Sequence, residues 1–170
     1  MNFSVRPAIA AAAEAIGYIN AHSWKSTYKN LVHQSFLDLL DAKEMQKNAE
    51  RRLQNPKLDC FVLVENDSGN VVGYSHIGPC RKKNVDADGE LYAIYLLEEY
   101  QNQGGGKLLF DIAVARIKER GYSKMMVSVF ERNNSGRKFY EKAGGKLIGS
   151  DHVDIDDHRY PTSTYLWKFT

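Results

Sequence analysis

The spacing of hydrophobic residues in the first third of the chain predicts one short strand followed by helices. Residues 2–6 alternate apolar and polar positions, as in a half-buried strand. Residues 8–21 are rich in alanine, a strong helix former, and residues 24–30 favour a second short helix or turn. Ser35 is a candidate N-cap for a further short helix, and the charged residues 42–54 predict a longer one.

The pattern then changes to short apolar runs separated by turns, which is typical of strands. Residues 61–65 and 71–77 flank an Asn-Asp-Ser-Gly-Asn turn and predict a β-hairpin. Residues 89–97 form a third apolar run, which leads into a loop with three consecutive glycines. A sheet is therefore expected to begin in the middle of the chain.

The last third alternates between helices and strands. A helix with apolar residues on one face begins near Leu108 and is predicted to end at Gly121. The later elements are a strand, a helix and two strands joined by a polar turn, at residues 125–130, 135–143, 146–153 and 162–169. This order favours one mixed α/β sheet covered by helices, and 170 residues suit a single domain.

The composition narrows the class of protein. With 43% hydrophobic and 26% charged residues, the chain has the composition of a folded globular protein. A formal net charge of +2 argues against nucleic acid or a membrane as the main partner. The sequence lacks an apolar run long enough to cross a bilayer, and Glu14 interrupts what would be the apolar part of a signal peptide. We therefore expect a cytoplasmic protein.

The cysteines and histidines do not suggest a metal site. Cys60 and Cys80 lack Cys-x-x-Cys spacing and are expected to be buried free thiols. The histidines have no spacing typical of metal ligands; they are His22, His33, His76, His152 and His158. The sequence therefore predicts no metal.

The glycines at 104–106 lie between a predicted strand and a predicted helix. The first turn of a helix has unpaired N–H groups and a partial positive charge, so it binds phosphates readily. Three glycines in a row are more than a simple turn requires, and each costs backbone entropy. We therefore expect a ligand that carries phosphate.

Two common phosphate-binding loops do not match this segment. A nucleotide-hydrolysing P-loop needs Ser or Thr after its lysine, but Leu108 follows Lys107. A dinucleotide loop needs a third glycine at position 109, where this chain has Leu, and it belongs near the start of its domain.

The segment Gln101-x-x-Gly104-x-Gly106 resembles the acetyl-CoA-binding loop of the GNAT superfamily of N-acetyltransferases. Two other segments support the resemblance. Asn133, followed seven residues later by Tyr140, is similar to a second hallmark of the family. The run around Trp24 and Tyr28 is similar to an early segment of many bacterial members. The resemblance covers essentially the whole chain, in the expected order.

This resemblance implies a GNAT fold of the α/β (α+β) class in residues 1–170. The expected sheet is central, mixed and mostly antiparallel, has about seven strands splayed in the middle, and is flanked by helices. The implied co-substrate is acetyl-CoA. The residues expected to bind it are Tyr95, Leu96, Leu97, Gln101, Asn102, Gln103, Gly104, Gly105, Gly106, Lys107, Asn133 and Tyr140.

The resemblance also implies catalytic roles. Tyr140 is at the position of the candidate general acid, since a phenol can protonate a leaving thiolate. Glu90 is at a position where many members have a glutamate that deprotonates the amine directly or through water. Tyr140 can instead serve as an aromatic anchor, and Glu90 can instead be a solvated strand end.

The expected reaction is direct transfer of acetyl to a primary amine of a small molecule, peptide or protein, through a tetrahedral intermediate. Trp24 and Tyr28 share a helix face and are candidates for the acceptor pocket, although ordinary packing explains them equally well. Arg81 to Lys83 are expected to be a solvated hairpin tip; in the active site they would disfavour cationic acceptors. A non-catalytic acyl-CoA sensor is the alternative function. Dimers are frequent in the family, so a homodimer is compatible with the resemblance.

Overall fold

The computed structural model describes residues 2–170. The seven strands are β1 (Phe3–Pro7), β2 (Asp59–Glu65), β3 (Val71–Pro79), β4 (Gly89–Leu96), β5 (Lys124–Phe130), β6 (Lys146–Ile155) and β7 (His158–Lys168). The five α-helices are α1 (Ala13–Thr27), α2 (Gln34–Asp38), α3 (Ala42–Leu53), α4 (Gly105–Glu119) and α5 (Asn134–Lys142). Short 3₁₀ turns precede α1 and follow β4. The predicted order of elements is therefore confirmed.

Three local predictions were wrong. Residues 24–27 continue α1 rather than starting a new helix, because Ser23 is buried and its hydroxyl donates to the carbonyl of Leu96 at 3.2 Å. His33 rather than Ser35 is the N-cap of α2, and its side chain accepts from the Ser35 amide. The turn between the last strands is only residues 156–157, because Asp156 adopts a left-handed φ of 51° that permits a tight hairpin.

The strands form one open sheet in the order β1-β2-β3-β4-β5-β7-β6. All neighbouring strands are antiparallel except β4 and β5. This arrangement confirms a mixed, mostly antiparallel sheet of seven strands flanked by helices. Because β7 lies between β5 and β6, the chain passes over one strand position before it returns.

The core lies on both faces of this sheet. On one face, Leu109, Ala113 and Ile117 of α4 pack against the strands. On the other face, Ile16 and Ile19 of α1 pack over β2 and β3. The two layers pack on either side of β4 and β5, where the strands separate.

Candidate active site

Strands β4 and β5 are paired at only one end. Gly89 pairs with Met125 and Glu90 pairs with Met126, and no further pairing follows. The sheet therefore opens into a V between residues 91–96 of β4 and residues 127–130 of β5. Backbone groups along this opening have no neighbouring strand, so they can bind an extended ligand, except that the Leu96 carbonyl already accepts from the side chains of Ser23 and Gln101.

The opening continues into a cleft with a volume of about 1130 Å³. At one end are the first turn of α4 and the start of α5. At the other end are α1, α2 and the β6–β7 hairpin, which contribute Trp24, Phe36 and Ile155. The volume is sufficient for a large ligand, and the two ends differ in chemistry.

The loop before α4 presents unpaired amides to one end of the cleft. Gly104 is the N-cap of α4 and has a left-handed φ of 90°, which a residue with a side chain adopts only with strain. The first helical hydrogen bond runs from the Leu108 amide to the Gly104 carbonyl at 3.2 Å. The amides of residues 105–107 precede it and have no partner within the helix, so they can donate to an anion.

The other two glycines have different roles. A Cβ atom on Gly105 would lie 2.5 Å from the side chain of Leu63, so this glycine allows α4 to pack closely on β2. A Cβ atom on Gly106 would lie 3.5 Å or more from the other described atoms, and Gly106 lines the cleft. Gly106 therefore keeps the floor of the cleft open, whereas Gly105 serves packing.

Tyr140 lies on α5 in the wall of the cleft and is 9% exposed. Its ring packs against Phe139, Tyr165 and Trp167. Burial, with a smaller contribution from the phenol of Tyr95, raises the pKa of Tyr140 above its ordinary value of 10.0. The phenol therefore keeps its proton at neutral pH, which a general acid requires.

Asn133 holds the start of α5. Its side-chain oxygen accepts from the amide of Gly136 at 3.0 Å, and the residue is buried in the cleft wall. This N-cap fixes the first turn of the helix that carries Tyr140.

Aromatic side chains line the opposite end of the cleft. Trp24 and Tyr28 meet edge to face with their ring centroids 4.6 Å apart, and Tyr28 meets Phe130 of β5 in the same way. The hydroxyls of Tyr28 and Tyr95 lie 3.1 Å apart. Trp24 and Tyr28 thus pack in an aromatic cluster and also line the cleft, so ordinary packing and a place in the pocket wall are both compatible with their positions.

Glu90 is buried and paired with a cation. Its two carboxylate oxygens accept three hydrogen bonds from Arg81, from the backbone amide and from two guanidinium nitrogens. Glu90 lines the cleft but is only 3% exposed, so it is not a solvated strand end. A carboxylate has about four acceptor positions, so one position on Oε1 remains for a water or ligand.

Most of the residues predicted from the sequence meet in this cleft. They are Trp24, Tyr28, Glu90, Tyr95, Leu96, Gln101, Asn102, Gly104, Gly106, Lys107, Asn133 and Tyr140. The cleft lining does not include Leu97, Gln103 or Gly105. Leu97 packs on the α1 side of the sheet, and the side chain of Gln103 donates to the Glu99 carbonyl at 2.8 Å.

Sequence reasoning missed several residues of the cleft wall. Arg81 and Lys82 line it, so these two residues are part of the site, although Arg81 is also mostly exposed, as expected for a solvated hairpin tip. Each forms an ion pair with a carboxylate further along the chain: Arg81 with Glu90 and Lys82 with Asp151. Ser128 and Thr162 also line the cleft; the one available signal was for Ser128, a small polar residue within an apolar strand.

Other groups lie outside the cleft. Cys60 and Cys80 are free thiols, but both are half-buried rather than fully buried, and burial raises the pKa of Cys60 to about 12. Among residues 2–170, no group of three or more His, Cys, Asp or Glu side chains is placed to hold a metal ion. None of the described helices is long and apolar enough to span a membrane.

Comparison with known proteins identifies the class of protein to which this fold and this cleft belong. Residues 19–145 match the model of the acetyltransferase (GNAT) family. The chain belongs to this family, and its class is therefore that of an acetyltransferase enzyme, as the sequence motifs had indicated.

Individual relatives agree with this assignment. The uncharacterized N-acetyltransferase YuaI of Bacillus subtilis is 33% identical over 140 residues, which cover 82% of this chain and 78% of that protein. Spermidine N(1)-acetyltransferase of Thermoplasma acidophilum is 25% identical over 91% of this chain and 95% of that protein. The crystal structure of the PaiA N-acetyltransferase from Thermoplasma acidophilum, in complex with coenzyme A, matches with a TM-score of 0.74 at 20% identity. That match covers 99% of this chain and 100% of the other, and it confirms the fold.

Proposed function

We propose that this enzyme transfers acetyl from acetyl-CoA to the amine nitrogen of an acceptor, and that residues 1–170 form one acetyltransferase domain. One observation carries the proposal: the V between β4 and β5 has free amides at one end and the Tyr140 phenol in its wall. A fold alone does not define a reaction, but this combination of groups suits a phosphate-bearing thioester.

The unpaired amides at the start of α4 would hold the pyrophosphate of the coenzyme. Lys107 opens the same helix, and Lys142 of α5 also lines the cleft, so cations are near the phosphates. The pantetheine arm would lie along the free edge of β4 near Tyr95 and Leu96 and pair with the backbone as an additional strand does. This placement would bring the thioester to the point where the two strands separate.

The amine would attack the thioester carbon to form a tetrahedral intermediate. A carbon–nitrogen bond forms, the carbon–sulfur bond then breaks, and coenzyme A leaves as a thiolate. Tyr140 would donate its proton to that thiolate, because its phenol is protonated and the residue lines the cleft. The nitrogen would lose one proton as the amide forms, and this proton would restore the Tyr140 phenol. A backbone amide near Leu96 would stabilise the oxyanion.

The acceptor amine must lose a proton before it attacks, since an alkyl ammonium has a pKa of about 10. We propose that Glu90 receives this proton through a water at the remaining acceptor position of its carboxylate. The ion pair with Arg81 holds the carboxylate in place at the paired end of β4 and β5.

A direct test incubates the purified protein with acetyl-CoA and a panel of primary amines and measures the release of free thiol. Thiol release that depends on both the amine and Tyr140 supports the proposal. A non-catalytic sensor would instead bind acetyl-CoA without turnover on any amine. Its binding of acetyl-CoA would be unaffected by Tyr140→Phe and Glu90→Gln.

A further inference from the structure

Two residues of the cleft lining have a buried hydroxyl group with no hydrogen-bond partner among the described residues. These groups are Oγ of Ser128 on β5 and Oγ1 of Thr162 on β7. Thr162 as a whole is only 5% exposed. A buried hydroxyl without a partner loses stabilisation that a ligand can restore, so both groups are candidate contacts for a bound molecule.

The two hydroxyls are on the acceptor side of the sheet. Phe130 pairs with Thr162 and Ser128 pairs with Thr164, so Ser128 and Thr162 are diagonal neighbours on one face. Phe130, on that same face, contacts Tyr28 of α1. The face opposite to α4 and α5 therefore combines two free hydroxyls with an aromatic wall.

The two carboxylates that line the cleft, Glu90 and Asp111, are already paired with cations. Glu90 is paired with Arg81, and Asp151, which lies outside the lining but directly opposite Thr162 in the sheet, is paired with Lys82. At the other end, Asp111 is paired with Lys107. Beyond the one acceptor position that remains on Oε1 of Glu90, an acceptor with several ammonium groups would therefore have to break an existing ion pair to find a counter-charge.

The remaining wall is apolar and suits an uncharged body. Trp24 meets Tyr28, Phe36 and Phe130 edge to face, with centroid distances of 4.6, 5.9 and 6.1 Å. Such a wall favours an aromatic or branched apolar group.

We infer that the acceptor is a primary monoamine with an apolar body and one neutral polar group, such as an amide, which Ser128 and Thr162 recognise. This inference rests on the proposed acetyl transfer and names its substrate class. An amide carries both donors and an acceptor, and each hydroxyl can act in either role. A polyamine, the substrate named for one relative, does not fit this charge arrangement.

The test compares three probe amines: phenylalaninamide, phenethylamine, which lacks the amide, and spermidine. We expect kcat/KM for phenylalaninamide to exceed that for phenethylamine by about tenfold, the effect of one or two hydrogen bonds. Spermidine should be the poorest of the three. Ser128→Ala and Thr162→Val should each reduce the preference for phenylalaninamide. Thr164→Val, on the same strand and face but outside the cleft lining, should leave the preference unchanged.

Binding separates this inference from the proposed reaction. Calorimetry of the same amines with the protein saturated with coenzyme A requires no turnover. If phenylalaninamide binds more tightly than spermidine but no amine is acetylated, the inference stands and the proposed reaction fails. Spermidine binding as tightly as phenylalaninamide, or a preference that both substitutions leave intact, overturns the inference.

Discussion

The guanidinium of Arg81 lies 2.7 Å from the carboxylate of Glu90, nine positions further along the chain. Arg81 is mostly exposed, whereas Glu90 is buried. The buried carboxylate is therefore paired with a guanidinium group that remains in contact with solvent. The candidate base of the reaction is therefore also the acidic half of an ion pair. Its position depends on this contact.

Replacing Glu90 with glutamine should lower kcat/KM at pH 7 by about 10²-fold, because an amide cannot accept the amine proton. The loss should shrink at higher pH, where more of the amine is already neutral. A pH–rate profile of both proteins checks this prediction. An equal loss at pH 7 and pH 10 would show that Glu90 acts only through structure.

Replacing Tyr140 with phenylalanine should lower kcat by about 10- to 100-fold and leave the affinity for acetyl-CoA nearly unchanged. The reason is that only the proton of the phenol is removed, while the ring still packs. Tyr165→Phe is the matched control: its hydroxyl binds Glu141 and Arg137 outside the cleft, so kcat should change little. Equal kcat values for Tyr140→Phe and wild type would make Tyr140 a packing residue.

The neighbouring glycines should respond differently to alanine. Gly105→Ala should lower the free energy of unfolding by about 1–3 kcal/mol, because the new methyl would collide with Leu63. Gly106→Ala should leave stability unchanged or slightly higher, since alanine favours a helix, but it should weaken acetyl-CoA binding. Urea denaturation and calorimetry together measure both effects. Unaltered acetyl-CoA binding by Gly106→Ala would place the coenzyme elsewhere.

His76 should make the protein less stable in acid. Burial, helped by the charges of Arg52 and Arg81, lowers the pKa of His76 from 6.5 to about 4. Between these values the unfolded chain binds a proton that the folded chain does not, so the free energy of unfolding falls as the pH falls. The contribution should reach about 3 kcal/mol near pH 4 and be absent above pH 7. Urea denaturation of wild type and His76→Leu at pH 7 and pH 5 measures it. Equal acid losses in both proteins would assign the effect to other groups.

Local sequence patterns predicted most of the elements because helices and strands depend on spacing within short segments. They could not predict that β7 inserts between β5 and β6, since that order depends on contacts between distant residues. The continuation of α1 past Ser23 was missed for the same reason: a serine in that position favours a break unless a distant carbonyl, here that of Leu96, accepts its hydrogen bond.

In the candidate site, too, the features that depend on adjacent residues could be predicted, and those that depend on distant residues could not. The glycine loop could be predicted because its donors come from adjacent residues at a helix start. The different roles of Gly105 and Gly106 depend on Leu63 and on the orientation of α4, and neither is visible in the sequence. The pairing of Arg81 with Glu90 requires the register of β3 and β4, which the sequence alone did not define.

We propose above all that the cleft between β4 and β5 holds acetyl-CoA. The most direct measurement is calorimetric titration of the wild-type protein and of Gly106→Ala with acetyl-CoA. We expect one binding site per chain and a clear loss of affinity in the variant, whose stability is retained. No binding to the wild-type protein, at concentrations where the protein is folded, would contradict the account.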